Sequence, residues 1–253
     1  MIKRIFSAFV LVTLVSVALG ATARAETVVK ISSDPWEPWV LGEEGKAATG
    51  GIAVDVAEEL FRRLELKAET VIYPYERCIH QMKTGERDVL LMVKKTPERE
   101  AYMLFSDVAA TDPQLIYYAP DRMKDFSWND WVDLKPYTVG GVQGFNYGDF
   151  EGAAKEHRIK TELTASDAQN IKKLLNGRVD LIILNRATAL FYMAENPEKK
   201  GKLKAATKVI SNAQFHFGVS KKGGATALLP KMNAALRDMK ADGTLDKLSG
   251  LAE

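Results

Sequence analysis

Cysteine is almost absent from the 253-residue chain, and a single residue, Cys78, excludes an internal disulfide. Ile79 beside it fits burial, the state in which an oxidising compartment tolerates a lone thiol, and nothing nearby in the sequence would lower its pKa as a reactive thiol requires. Histidine is scarce too: His80, His157 and His216 lack the regular spacing of metal ligands, so neither a zinc site nor a cofactor is expected. No block of lysine or arginine is present, so charge nominates neither nucleic acid nor an anionic membrane as a partner. A glycine-rich phosphate loop ending in Lys-Ser/Thr is also missing, which argues against ATP binding.

The main long apolar run, residues 5–19, follows Lys3 and Arg4 and precedes Ala23-Arg24-Ala25. A charged head, a short apolar middle and small residues around a cut are the pattern of a secretory signal, too short for a membrane span. Residues 1–25 are therefore expected to be removed after Ala25, leaving a periplasmic protein. No cysteine closely follows the run, so a lipid anchor is not expected. Cleavage takes Lys3, Arg4 and Arg24 from the 35 basic residues and none of the 33 acids, leaving 32 against 33, about −1. The remaining length, 253 less 25, suffices for one substantial core or two modest ones.

Strand and helix patterns then alternate, which argues for parallel sheets with crossover helices. Residues 27–32 read as a half-buried strand, and Asp34-Pro-Trp-Glu-Pro-Trp39 as a loop that prolines stop from continuing it, with two tryptophans taken as exposed. After Gly50-Gly51, Val54, Ala57, Leu60, Phe61 and Leu64 fall on one helical face. A strand over 68–73, a short helix over 77–83 ending near Gly85, and a fully buried strand Val89–Val93 follow. Residues 106–113 are polar and small, suiting a crossing between two lobes, with a strand at 114–119 beyond it. A strand at 137–140 runs into the glycine-rich stretch Gly140 to Gly148. Ser166-Asp-Ala-Gln169 is a capping box, Gly177 closes that helix, and strand 181–184 leads into helix 186–196. Residues 215–220 return to the first lobe, and a last helix over 225–242 stops at Gly243.

One internal echo bears on function. Gly85-Glu-Arg-Asp88 before Val89–Val93 and Lys94 resembles Gly177-Arg-Val-Asp180 before Leu181 to Asn185 and Arg186. If the two lobes are built alike, both strand ends face one cleft, where open α/β sheets bind ligands. Gly-x-x-Asp before a strand is also common turn chemistry, so the echo alone does not decide it. Arg99, in a polar turn after a short strand, offers a planar, always charged guanidinium suited to gripping a carboxylate.

Thr96-Pro-Glu-Arg99, with Phe105-Ser106 six residues on, resembles the signature of bacterial family 3 periplasmic solute-binding proteins, and the similarity extends more weakly from Val28 to Leu248. The resemblance implies an α/β fold of two lobes, each a mostly parallel sheet flanked by helices, joined by two hinge crossings. Residues 26–112 with 214–253 would form lobe 1 and residues 113–213 lobe 2. It implies a non-enzymatic, monomeric protein that closes on a small carboxylate-bearing solute and presents it to a membrane ABC permease in trans. Arg99 matches the carboxylate arginine, Asp34 an acid at the cleft, and Trp36 and Tyr75 the aromatic walls. Gly144, in Gly-Val-Gln143-Gly144-Phe145, matches a loop at a helix start whose backbone N–H groups complete the carboxylate site.

Departures from the pattern matter as much. Asn185 stands where amino-acid binders usually place an aspartate for the α-ammonium, and Met92 and Lys94 replace small residues before the motif. Lys94 and Arg186 add positive potential that favours an anionic solute, unless they are solvated strand-end charges; an amine can still go to Asp34, Glu37 or Asp107. Trp36, Trp39 and Tyr75 read either as ligand walls or as packing, and Phe145 and Tyr147 either as groups that stack on a ligand or as cover for the loop. Two other classes remain: a sensor acting in trans on a membrane receptor, and a dehydratase-like enzyme drawing its acid or base from Asp34, Glu37 and Lys94.

Overall fold

The computed structural model describes residues 28–249; the expected cut after Ala25 lies outside that range. The described residues open with β1 (Val28–Ser33), α1 (Ile52–Arg63), β2 (Lys67–Ile72), α2 (Tyr75–Thr84), β3 (Val89–Val93), α3 (Pro97–Glu100) and β4 (Met103–Phe105). They continue through β5 (Ala110–Tyr118), β6 (Thr138–Val142), α4 (Phe150–Glu156), β7 (Lys160–Thr164), α5 (Asp167–Leu175), β8 (Leu181–Asn185) and α6 (Arg186–Glu195). The long β9 (Lys204–Ser220), α7 (Leu229–Ala241) and α8 (Thr244–Ser249) complete them.

Strand order is β2-β1-β3-β9-β5-β8-β6-β7, with β4 also on β9. On one side β1 lies parallel between β2 and β3; on the other β6 lies parallel between β7 and β8. Antiparallel β5 and β9 join the halves, Asp112 facing Ala213 and Pro113 facing Asn212. The fold is thus α/β and two-lobed. Parallel strands covered on both faces must be apolar throughout, and all five residues of β3 and of β8 are buried.

The helices follow from their apolar stripes and stop signals. Ala53, Val54, Val56, Ala57, Leu60 and Phe61 bury the inner face of α1, and Gly85 in the left-handed conformation ends α2. The first core gathers Trp39, Phe61 and Ile31 with Phe217, Met232 and Leu236, so the C-terminal helices pack on the N-terminal sheet. The second half buries Tyr118, Leu134 and Ile183 on one face of its sheet and Ile182, Leu174 and Val179 on the other. The repeated Gly-x-x-Asp has the same structural task in each half. Asp88 accepts the Lys30 N–H at 2.9 Å and Asp180 the Thr138 N–H at 2.8 Å, each tying its turn to the neighbouring parallel strand.

Several expectations are corrected. The strand expected at 114–119 already begins at Ala110, inside the crossing expected over 106–113, because Asp112 and Gln114 turn into the joint and are buried. Trp36 and Trp39 are not exposed: they stack at 5.2 Å and pack on Phe215, at 7% and 0% exposure. The helix after the glycine-rich stretch begins at Phe150 rather than beside Gly144, since Gly144 and Gly148 both take positive φ. The helix expected to stop at Gly243 does stop there but is not the last, since α8 follows and buries Leu245. Edge strand β7 escaped the pattern because four of its five residues are exposed.

Candidate functional site

The ends of β1, β3 and β8, the start of α2, short α3 and the loop after β6 line a half-open cavity of about 40 Å3. Thr96 caps α3 by accepting the Arg99 N–H, and Pro97 fits the first turn, where no donor is needed. That turn holds Arg99 at 8% exposure. Its Nη1 donates to the Lys94 carbonyl at 2.9 Å, its Nη2 to the Gly144 carbonyl at 3.0 Å, and its guanidinium carbon lies 5.7 Å from the Tyr75 ring centre. Among the described residues Arg99 forms no ion pair with a carboxylate.

Lys94, just past β3, donates from Nζ to Gln114 Oε1 and to the Asn146 carbonyl, both at 2.9 Å. Burial lowers its pKa to about 8; Glu151 opposes the shift and Arg99 adds to it. The carboxyl of Asp34 is pushed up to about 7 by burial, against its own backbone N–H and the Arg99 charge. Trp36 donates from Nε1 to Thr188 Oγ1 at 3.2 Å, and Phe145 meets Trp36 and Tyr75 edge-on at 6.1 and 5.6 Å. A rigid aromatic wall thus faces two cations, which suits an anion with an apolar body.

Asn185 ends β8, buried, its Oδ1 accepting from Gln114 Nε2 at 3.4 Å and its Nδ2 reaching the Asp112 carbonyl at 3.5 Å. Behind it Asp112 takes the Ala187 N–H at the start of α6, and burial pushes this carboxyl up to about 6. The structure brings Arg99, Asp34, Trp36, Tyr75, Lys94, Phe145 and Asn185 to one cavity. Gly144 stands at its edge and presents its carbonyl, not an N–H, to Arg99; a Cβ there would lie 2.7 Å from Tyr75 Cδ1. Gln143 and Arg186 do not line the cavity and are exposed. The Gln143 N–H is taken by the Thr164 carbonyl, and Arg186 points outward as the first residue of α6. Lys94 and Arg186 sit equally far from their aspartates, yet only Lys94 reaches the cavity, since β3 carries a register shift and Met92 a φ of +42° that re-aim its end.

Sequence reasoning missed Leu91, Gln114, Asn146 and Phe215 as lining residues, while Met92 and Val93 line the cavity as the strand end expected to face the cleft. Asn146 was within reach, two residues past Gly144; Phe215 enters only through the sheet topology. Beside this cavity, on the other side of Trp36, lies a second one with Glu37, Asp167, Thr188 and Tyr192. Asp167, at the first turn of α5, is pushed up to about 7 by burial and by the Asp34 charge across the cleft. Cys78 is buried, and burial raises its thiol far above its ordinary value. No group of three His, Cys, Asp or Glu stands ready to hold a metal among the described residues.

A family model described as bacterial extracellular solute-binding proteins, family 3, matches residues 28–250. The probable amino-acid-binding protein YxeM of Bacillus subtilis is 27% identical over 216 residues, 84% of this chain and 78% of that one. The lysine/arginine/ornithine-binding periplasmic protein of Escherichia coli is 26% identical across 98% of this chain and 95% of its own. Among solved structures, an ancestral arginine-binding protein bound to arginine superposes with a TM-score of 0.75 at 26% identity, covering 88% of this chain and 96% of that one. The ancestral amino acid-binding protein AncCDT-1, described as a precursor of cyclohexadienyl dehydratase, gives 0.71 at 26% identity over 87% and 93%.

Proposed function

The chain belongs to the bacterial extracellular solute-binding proteins, family 3, and from that premise we propose that it captures a small carboxylate-bearing solute between its lobes and presents it to an ABC permease. The solute class, an amino acid or a related organic acid, rests on one observation: a buried guanidinium, fixed by two carbonyls and unpaired with any described carboxylate, at an aromatic-walled cavity. Arg99 grips the carboxylate, Lys94 and the loop around Gly144 flank it, and Trp36, Tyr75 and Phe145 cover the body. Closure buries the solute, and the permease reads the closed form as a shift in population.

The protein acts as a monomer in the periplasm after cleavage behind Ala25. Its lobes divide at 112/113 and 213/214, a boundary supported by the paired Asp112 and Ala213 at the joint. A thermal-shift screen of the protein lacking residues 1–25 against carboxylates tests the reading, because a solute that binds only the native state raises the Tm. Arg99→Ala removes that rise while the protein still melts cooperatively. Binding retained within about threefold takes Arg99 out of the site.

A second reading has one observation in its favour: Asp34 at about 7 and Lys94 at about 8 share a cavity, the poise of an acid–base pair. A dehydratase-like enzyme of that kind turns over a bound cyclic acid. The binding reading expects the ligand to be recovered unchanged.

A further inference from the structure

Cleft charge does not balance. Asp34 is the only carboxylate among the residues lining the Arg99 cavity, against the two cations Arg99 and Lys94. Neither cation is ion-paired among the described residues. Glu151, outside the cavity, acts on Lys94 without forming an ion pair; taking a charge out of water with no paired counter-charge is costly, and a cavity that does so twice is completed by what it binds. Asp34 supplies little compensation, because burial leaves it only partly ionised near neutral pH.

The two cations form one unit. The Arg99 Nη1 donates to the carbonyl of Lys94 itself, and the two side chains reach two carbonyls of the same loop, Gly144 for Arg99 and Asn146 for Lys94. Phe145 lies between those loop residues, its ring on the cavity. An ammonium has three donors and Lys94 uses two of them, on Gln114 and Asn146, so one N–H remains for a solute oxygen. Two of the five guanidinium donors of Arg99 are engaged by carbonyls. Opposite them Asn185 is a neutral amide tied to Gln114 and Asp112, offering no charge to an ammonium.

On the carboxylate-binding reading above, on which this rests, we propose that Lys94 is a second anion anchor and that the solute is a dicarboxylate without a free ammonium group. One carboxylate meets Arg99, the other meets Lys94, and the carbon frame lies on Phe145, Trp36 and Phe215.

Matched probes that differ by one charge test it: glutarate against its monoamide, phthalate against its monoamide, and L-glutamate as glutarate with an added ammonium. By titration calorimetry on the protein lacking residues 1–25, each diacid is expected to bind about 10- to 100-fold tighter than its monoamide, the worth of one charge-assisted bond. Lys94→Met is expected to shrink that ratio to within about threefold, and Lys94→Arg, which keeps the charge, to retain most of it. Melting curves check that both variants fold. Equal affinity for diacid and monoamide in the unaltered protein, or a ratio that survives Lys94→Met, overturns the second anchor while leaving Arg99 and the carboxylate reading in place. Tighter binding of L-glutamate than of glutarate overturns the exclusion of an ammonium. No response to any carboxylate overturns the parent reading and this one with it.

Discussion

Asp167→Asn asks whether an acid buried near a second acid, Asp34, strains the fold. Asp167 has an ordinary pKa of 3.8 and titrates at about 7 in the folded protein, burial being the larger cause and the charge of Asp34 the smaller. The native state therefore holds its proton more tightly than the unfolded chain does. Stability from this group is complete below about pH 4, declines as pH rises, and is lost once pH passes about 7. Fully expressed, that difference is about 4 kcal/mol at 1.36 kcal/mol per pH unit. Asp167 keeps partial contact with solvent, and screening reduces the loss to about 1–2 kcal/mol. For a domain of this size each kcal/mol moves the Tm by about 2–4 °C. Asp167→Asn, nearly the same shape without the charge, should then melt about 3–6 °C above the parent at pH 8. At pH 4 the two should melt within about 1 °C. Melting curves followed by circular dichroism from pH 4 to 8.5, without added solute, make the comparison. Parallel curves for parent and variant refute the reasoning, since a pH-independent offset reflects packing alone.

Two backbone positions give further tests. Met92 is buried at 3% exposure and holds a φ of +42°, so both Met92→Ala and Met92→Gly lose about 2–4 kcal/mol of packing. Glycine, free of the left-handed penalty, should be the more stable by about 1 kcal/mol in urea unfolding; alanine above glycine, the usual order inside a strand, refutes strain at that residue. Gly144→Ala sets a Cβ at 2.7 Å from the Tyr75 ring on a backbone at φ +79°. It should lower stability by about 1–3 kcal/mol and weaken solute binding at least fivefold by calorimetry, as the loop is pushed off Tyr75 and Arg99.

Legibility in the sequence followed locality. Helix α1, with its apolar stripe after Gly50-Gly51, and buried β3 and β8 are written in runs of consecutive residues, and the sequence reading places each within a residue or two. Arg99 was legible because its cap, its proline and its guanidinium sit within four residues. Phe215 and Gln114 were not, because what brings them to Arg99 is the pairing of β9 with β5, a contact across about a hundred residues that no local pattern encodes. Burial of Trp36 and Trp39 was misread for the same reason, since proline-rich loops usually run over the surface and the Phe215 that covers this one arrives late in the chain. Arg186 was misplaced because spacing from an aspartate measures distance along a strand, not the turn that Met92 introduces into one strand and not the other.

Strand β9 is seventeen residues long and pairs with β3 and β4 at one end and with β5 along the rest. The N-terminal sheet thus has a gap between β3 and the joint that only residues near the far end of the chain can fill. During synthesis β1, β2 and β3 exist with the β3 edge unpaired until Phe215 and its neighbours are made, whereas β6, β7 and β8 are complete in sequence well before that. The half of the molecule that begins first is the half that finishes last, and a chain truncated before β9 leaves both the sheet and the wall of the cavity without the strand that they share.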